Sequence, residues 1–206
     1  MTVTADSLFS DILRAGLTAD NNWTVKQTDE LDARTSHIYN CKSLRELQEQ
    51  STGRNLTHSE YSYAVHRWRN LKRHDAYIAL LVEIVPGLQL YPDEFHKQRD
   101  FGLLVNDEVI YFDLKVTRYP RSAHSNLSDS ELAAWLYKNQ SKNSRHHLAN
   151  RFFIIGQPES ALYDISLARE NLYKFLENMA LYRHFITHHN GQQSRAVIIR
   201  QGVAPS

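Results

Sequence analysis

Arg99–Pro120 reads RDFGLLVNDEVIYFDLKVTRYP, and its alternation decides the fold. Two β-like runs, Asp100–Val105 and Val109–Thr117, flank Asn106-Asp107-Glu108. In the second run Phe112, Leu114 and Val116 share one face, and Tyr111, Asp113, Lys115 and Thr117 share the other, because side chains alternate along a strand. The apolar face belongs to a core. The polar face sets a carboxylate and an ammonium side by side. If Asn106-Asp107 forms a two-residue hairpin turn, Val105 pairs with Glu108. Counting outward then sets Asp100 opposite Asp113, on one face with Cβ atoms about 5 Å apart. A three-residue turn would shift the register by one and weaken this opposition.

Two like charges at that separation destabilise a fold unless something offsets them. A divalent cation does so, and Mg²⁺ favours one or two carboxylates completed by phosphate and water. A charged outer hairpin face with local ion pairs is the plain alternative, and a lone D-x-K triplet occurs often by chance. The combination is rarer: an acid opening one strand, a short turn, an apolar strand carrying D-x-K, and an apolar helix with one acid before them.

That helix is His74–Val85, HDAYIALLVEIV, stopped by Pro86-Gly87. Its acid, Glu83, neighbours Leu80, Leu81 and Ile84; buried and unpaired it would be costly, which suggests a metal-linked or hydrogen-bonded role. An exposed Glu on the opposite side is the alternative. Downstream, Leu127–Leu148 reads as a helix with Ser128 as N-cap and Glu131 at N3. Arg151–Gly156 reads as a buried strand, Leu162–Thr187 as one long helix, and Arg195–Arg200 as another buried strand. Residues 74–206 are therefore expected to form an α/β core, a mixed sheet of about five strands flanked by helices. Residues 1–73 read as a helical region with Ser7–Ala15 and Ser43–Gln50 as helices. Gly53 sits in a turn there, and Thr57 with Glu60 caps a following helix. That helix-turn-helix pattern suits either a DNA-reading helix or a plain helical subdomain.

The 206 residues are 42% hydrophobic and 23% charged, an ordinary globular composition. No apolar run approaches the roughly 20 residues that span a bilayer. The first residues lack the basic segment of a secretory signal, and Cys41 is the only cysteine, so a cytoplasmic protein is expected. Net charge is +1, but it is uneven. Arg67, Arg69, Lys72 and Arg73 form one basic stripe without acids, and Lys138, Lys142, Arg145 and Arg151 form another. Each is compatible with phosphate binding or with a solvated helix face. The eleven histidines show no zinc-protease or ββα-metal spacing.

Asp100-Phe101-x-Leu103, then Phe112-Asp113-Leu114-Lys115-Val116-Thr117-x-Tyr119, resembles the PD-(D/E)xK nuclease superfamily, and particularly its blunt-cutting Type II restriction endonucleases. The likeness extends over about His74–Arg200, though only Asp100–Tyr119 is specific. Arg99 stands where the motif has proline. A literal Pro-Asp occurs at Pro92-Asp93, but Asp93 precedes the strand, so Asp100 is preferred. The resemblance implies a restriction-endonuclease-like core hydrolysing DNA with Mg²⁺, for which Mn²⁺ would substitute. Asp100, Asp113 and Glu83 would hold the metal, and Lys115 would orient the attacking water. A homodimer cutting a short palindrome in double-stranded DNA would leave 5′-phosphate ends. Candidate DNA contacts are Arg67, Arg69, Lys72, Arg73, Thr117, Arg118, Lys142, Arg145, Gln192 and Gln193; the amides suit adenine edges and arginine suits guanine. A repair, homing or toxin nuclease, or a DNA-binding protein without catalysis, are the rival expectations.

Overall fold

The computed structural model describes residues 4–18, 27–91, 99–120, 127–139, 149–187 and 191–202. The chain divides into two compact units, Met1–Ala79 and Leu80–Ser206.

The first unit is helical. It contains α1 (Ala5–Thr18), α2 (Asp29–Arg34), a 3-10 turn (Ser36–Asn40), α3 (Leu44–Gly53) and most of α4 (His58–Ile84). Each start has a local cause. Thr28 and Ser43 cap α2 and α3 by accepting from Leu31 N and Glu46 N. Thr57 N donates to Glu60 Oε2 at 2.8 Å while Glu60 N returns to Thr57 Oγ1 at 3.3 Å, the reciprocal box expected there. No glycine or proline interrupts residues 58–84, so the candidate DNA-reading helix and the apolar stretch after it form a single helix of 27 residues. Ala15, Ile38, Cys41, Leu47, Val65 and Trp68 build the core of this unit, with Trp68 Nε1 donating to the Cys41 carbonyl at 2.9 Å.

The second unit is a six-stranded mixed sheet with helices. Its strands are β1 (Gln89–Leu90), β2 (Phe101–Val105), β3 (Glu108–Arg118), β4 (Arg151–Gln157), β5 (Arg183–Thr187) and β6 (Gln193–Gly202). They lie in the order β1-β2-β3-β4-β6-β5. β3, β4 and β6 run parallel; β1–β2–β3 and β5–β6 are antiparallel. Asn106 and Asp107 both take positive φ, 51° and 63°, the two-residue turn that Asn and Asp tolerate best. Val105 consequently faces Glu108, and the ladder runs to Phe101–Phe112.

One face of the sheet is covered by α5 (Asp129–Asn139), whose Leu132, Ala133, Leu136 and Tyr137 pack on Phe153, Ile155, Ala196 and Ile198. Ser128 and Glu131 cap α5 as expected, through Ser128 N to Glu131 Oε2 at 2.8 Å. The helix is described only to Asn139; the rest of the expected Leu127–Leu148 span lies outside the described residues. On the other face Phe101, Phe112 and Phe152 contact one another through edge and stacked ring pairs, and Phe152 meets Phe175 of α6 (Ile165–Glu177) edge-on.

Two expectations need correction. The sheet has six strands rather than about five, and Leu162–Thr187 is not one helix. Asp164 caps α6 by accepting from Leu167 N at 3.0 Å, and the helix ends before Asn178, whose φ of −148° is non-helical. Arg183–Thr187 is instead the edge strand β5, paired with the start of β6. The β-branched and aromatic residues of RHFIT favour that state once β6 offers a partner.

Candidate active site

The β2–β3 ladder ends at Phe101, one residue short of Asp100, while β3 runs on, so Leu114 N–H has no ladder acceptor on that side. The Asp100 carboxylate supplies one, accepting from Leu114 N at 2.6 Å, and its own N–H bonds to Phe112 O at 2.8 Å. Asp100 therefore sits at the bend where the ladder ends, beside Asp113 but outside the last formal pair.

Asp113 is buried, with 6% of its surface exposed. Its Oδ1 meets Lys115 Nζ at 2.8 Å, and its Oδ2 lies 3.7 Å from Arg151 Nε. Burial pushes its pKa above the usual carboxylate value, the Asp100 charge adds to that rise, and Lys115 and Arg151 oppose it. Lys115 is half-exposed, so the pair opens from a buried carboxylate to a wet ammonium.

Arg151 and its neighbours form the part of the centre that sequence reasoning missed. Arg151 opens β4 directly opposite Asp113 in the parallel register, and its guanidinium lies 5.3 Å from the Tyr137 ring centroid. Tyr137 donates its hydroxyl to Ala149 O at 2.7 Å. Asn150 bridges the gap before β4 begins, giving Nδ2 to Tyr111 O at 3.1 Å and accepting from Arg195 N at 2.8 Å. The available signal was a guanidinium at the mouth of an otherwise apolar strand, RFFIIG, where a buried charge requires a partner.

Glu83 does not join the two aspartates, which corrects the expected three-acid set. Leu80, Leu81 and Ile84 are buried, whereas Glu83 lies on the outer side of the helix with its carboxylate 3.0 Å from Arg169 Nη2 of α6. Among the described residues, no group of three or more His, Cys, Asp or Glu side chains is placed to hold a metal. Asp100 and Asp113 are the acids of the candidate centre among the described residues.

The expected DNA contacts separate into three groups. Arg67, Arg69, Lys72 and Arg73 are buried or half-buried in the helical unit. Arg67 donates to Asp32 O (2.9 Å), Thr35 Oγ1 (2.6 Å) and Tyr39 OH (3.0 Å) and lies over the Tyr39 and Tyr63 rings. Arg69 covers Gly16, where a Cβ would meet its Nη2 at 2.7 Å, and Lys72 pairs with Asp75 at 2.9 Å. A basic stripe in the sequence is here a packing device. Thr117 and Arg118 continue β3 beyond Lys115, and Gln192 and Gln193 are exposed at the start of β6. Lys142, Arg145 and the alternative acid Asp93 lie outside the described residues. None of the helices described is long and apolar enough to cross a membrane. Neither family models, curated proteins nor solved structures yield a match to this chain.

Proposed function

We propose that this chain is a Mg²⁺-dependent DNA endonuclease of the PD-(D/E)xK kind, acting as a restriction enzyme on a short palindrome in duplex DNA. The observation that carries the reading is the Asp113–Lys115 pair at 2.8 Å with the Asp100 carboxylate beside it. Two acidic side chains and an ammonium converge where the β2 ladder has ended and β3 continues, with Lys115 half-exposed. Capping Leu114 N–H needs one carboxylate and pairing the buried Arg151 another, but neither role needs the two set beside each other, where the Asp100 charge raises the cost of ionising Asp113.

The donor set fits a hard divalent cation. Two carboxylates are enough for Mg²⁺, which keeps most of its remaining positions for water and phosphate. Asp100 and Asp113 would hold it, and Mn²⁺ would substitute. When bound, the cation lowers the pKa of a coordinated water and stabilises charge on the phosphate oxygens. Lys115 supplies a fixed positive charge beside the attacked phosphorus and orients the attacking water. Arg151, buried beside Asp113, favours the ionised carboxylate against its burial, as Lys115 does more strongly. In-line attack then leaves a 5′-phosphate and a 3′-hydroxyl. Thr117, Arg118, Gln192 and Gln193 are the described residues available for contacts to DNA. A two-fold homodimer would present two such centres to the two strands, as a palindrome requires.

Lys115→Ala and Asp113→Ala test the reading. Each is expected to lower Mg²⁺-dependent cleavage at least about a hundredfold while the far-ultraviolet circular dichroism of the protein stays unchanged. Full activity in either variant would sink the assignment.

A further inference from the structure

Beside Asp113, where β4 has not yet begun between β3 and β6, lies a groove that the hydrolytic reading leaves unused. Tyr111 lines it on the Asp113 face of the sheet, and Phe185 and Arg195 line it from the other face. It encloses about 620 Å³, the size of a small-ligand site rather than of a duplex groove, and lies within the sheet unit. Tyr111, one alternation before Asp113, forms one wall roughly 6.5 Å from it along β3. Tyr91 meets Tyr111 edge-on at 5.0 Å, and the Arg99 guanidinium lies over both rings, at 5.9 and 5.4 Å. Gly102 makes this platform possible: a Cβ there would meet Val109 Cγ1 at 2.6 Å and Tyr111 Cε1 at 3.1 Å. Opposite stand Phe185, a 63% exposed aromatic on edge strand β5, and its ladder partner Arg195. Arg195 approaches Glu108, the one acid among the described lining residues, at 3.8 Å. Asn150 holds the walls together through Tyr111 O and Arg195 N.

Two aromatic walls, two guanidinium groups against one carboxylate, and a volume of this size match a base with its flanking phosphate. Stacking on aromatic rings beside a cationic track is how proteins hold unstacked nucleotides. We infer that this groove receives one unstacked nucleotide of the strand whose scissile phosphate lies at Asp113. The inference rests on the nuclease reading and specifies its substrate: a strand with a base free of the helix, either single-stranded or extruded from a duplex.

The test measures binding by fluorescence anisotropy with the full chain, using Ca²⁺ in place of Mg²⁺ to suppress hydrolysis. Probes are a short fluorescein-labelled DNA strand, the same strand as a duplex, and an abasic strand of equal length. Phe185 is exposed, so Phe185→Ala leaves folding intact. The variant is expected to bind the single strand roughly tenfold more weakly, and to bind the abasic strand as the wild type does. An equal loss on the duplex assigns the base to extrusion from paired DNA; a loss confined to the single strand assigns the substrate as unpaired. Equal affinities of wild type and variant for all three probes, or no binding by the wild type, overturn the inference. Cleavage with Mg²⁺ by a wild type whose binding ignores Phe185 discards the groove alone. Phe185-dependent binding without cleavage discards the hydrolytic reading alone.

Discussion

The cations of α4 and the cations around β3 look alike in the sequence and are used in opposite ways. Arg67, Arg69, Lys72 and Arg73 come as a run without acids, the usual sign of a phosphate-binding helix, yet their side chains are buried or half-buried in the helical unit. Arg67 alone joins α2, the 3-10 turn and α4 by three hydrogen bonds. Lys115, Arg99 and Arg195 are scattered over nearly a hundred positions, yet all belong to the sheet unit around β3. Clustering in sequence marks one helix, and helices bury a stripe. Clustering in space is produced by strand register, which a linear reading sees only where a short turn makes it local.

This contrast makes Arg67 a residue of stability and not of DNA affinity. Arg67→Ala removes a partly buried, charge-assisted set of bonds and leaves the Asp32 carboxylate with Tyr63 and Gln27 alone. A loss of about 3 kcal/mol in urea unfolding is expected, with DNA affinity per folded molecule unchanged. An unaltered unfolding midpoint with weakened DNA binding would reverse the comparison.

A smaller effect follows from His37, buried in the same unit with Nε2 at 2.9 Å from Ser51 Oγ. Burial, and then the Arg54 and Arg67 charges, hold its pKa below the ordinary histidine value, although the Arg34 carbonyl works against them. The folded state therefore takes up this proton less readily than the unfolded chain. Stability is full above about pH 6.5 and falls as the pH drops below that, through the folded-state pKa. In thermal unfolding from pH 7.5 to 5, His37→Gln should flatten part of the slope. An identical slope in the variant would show that His37 is not its source.

Glu83 should have the smallest effect. Its pair with Arg169 is about one-third exposed on both sides, and such pairs contribute at most about 1 kcal/mol. Glu83→Gln is expected to change the unfolding free energy by less than that and to leave the cleavage rate within about twofold. A hundredfold loss of activity would return Glu83 to the centre.

Much of the sheet unit was legible because its information is local. Asn106-Asp107 dictates the turn, the turn dictates the register, and the register brings Asp100 to Asp113. Ser128 with Glu131 and Thr57 with Glu60 announce helix starts by the same short-range logic. β5 was not legible, since RHFIT becomes a strand only by pairing with Gln193–Val197, which no window over residues 183–187 contains. Glu83 was misjudged because half a turn of rotation on an apolar helix exchanges core for surface. Arg151 belongs to the centre through a parallel pairing across 38 residues, beyond the reach of pattern.

The central claim is that Asp113, Lys115 and Asp100 hydrolyse DNA. Digestion of a plasmid of known sequence with Mg²⁺, followed by run-off sequencing of the ends, tests it most directly. The account predicts discrete fragments with 5′-phosphate ends at a repeated short palindrome, abolished by chelating the metal. A smear of random ends would keep the chemistry and discard the restriction enzyme. Plasmid left intact with both Mg²⁺ and Mn²⁺ would contradict the claim.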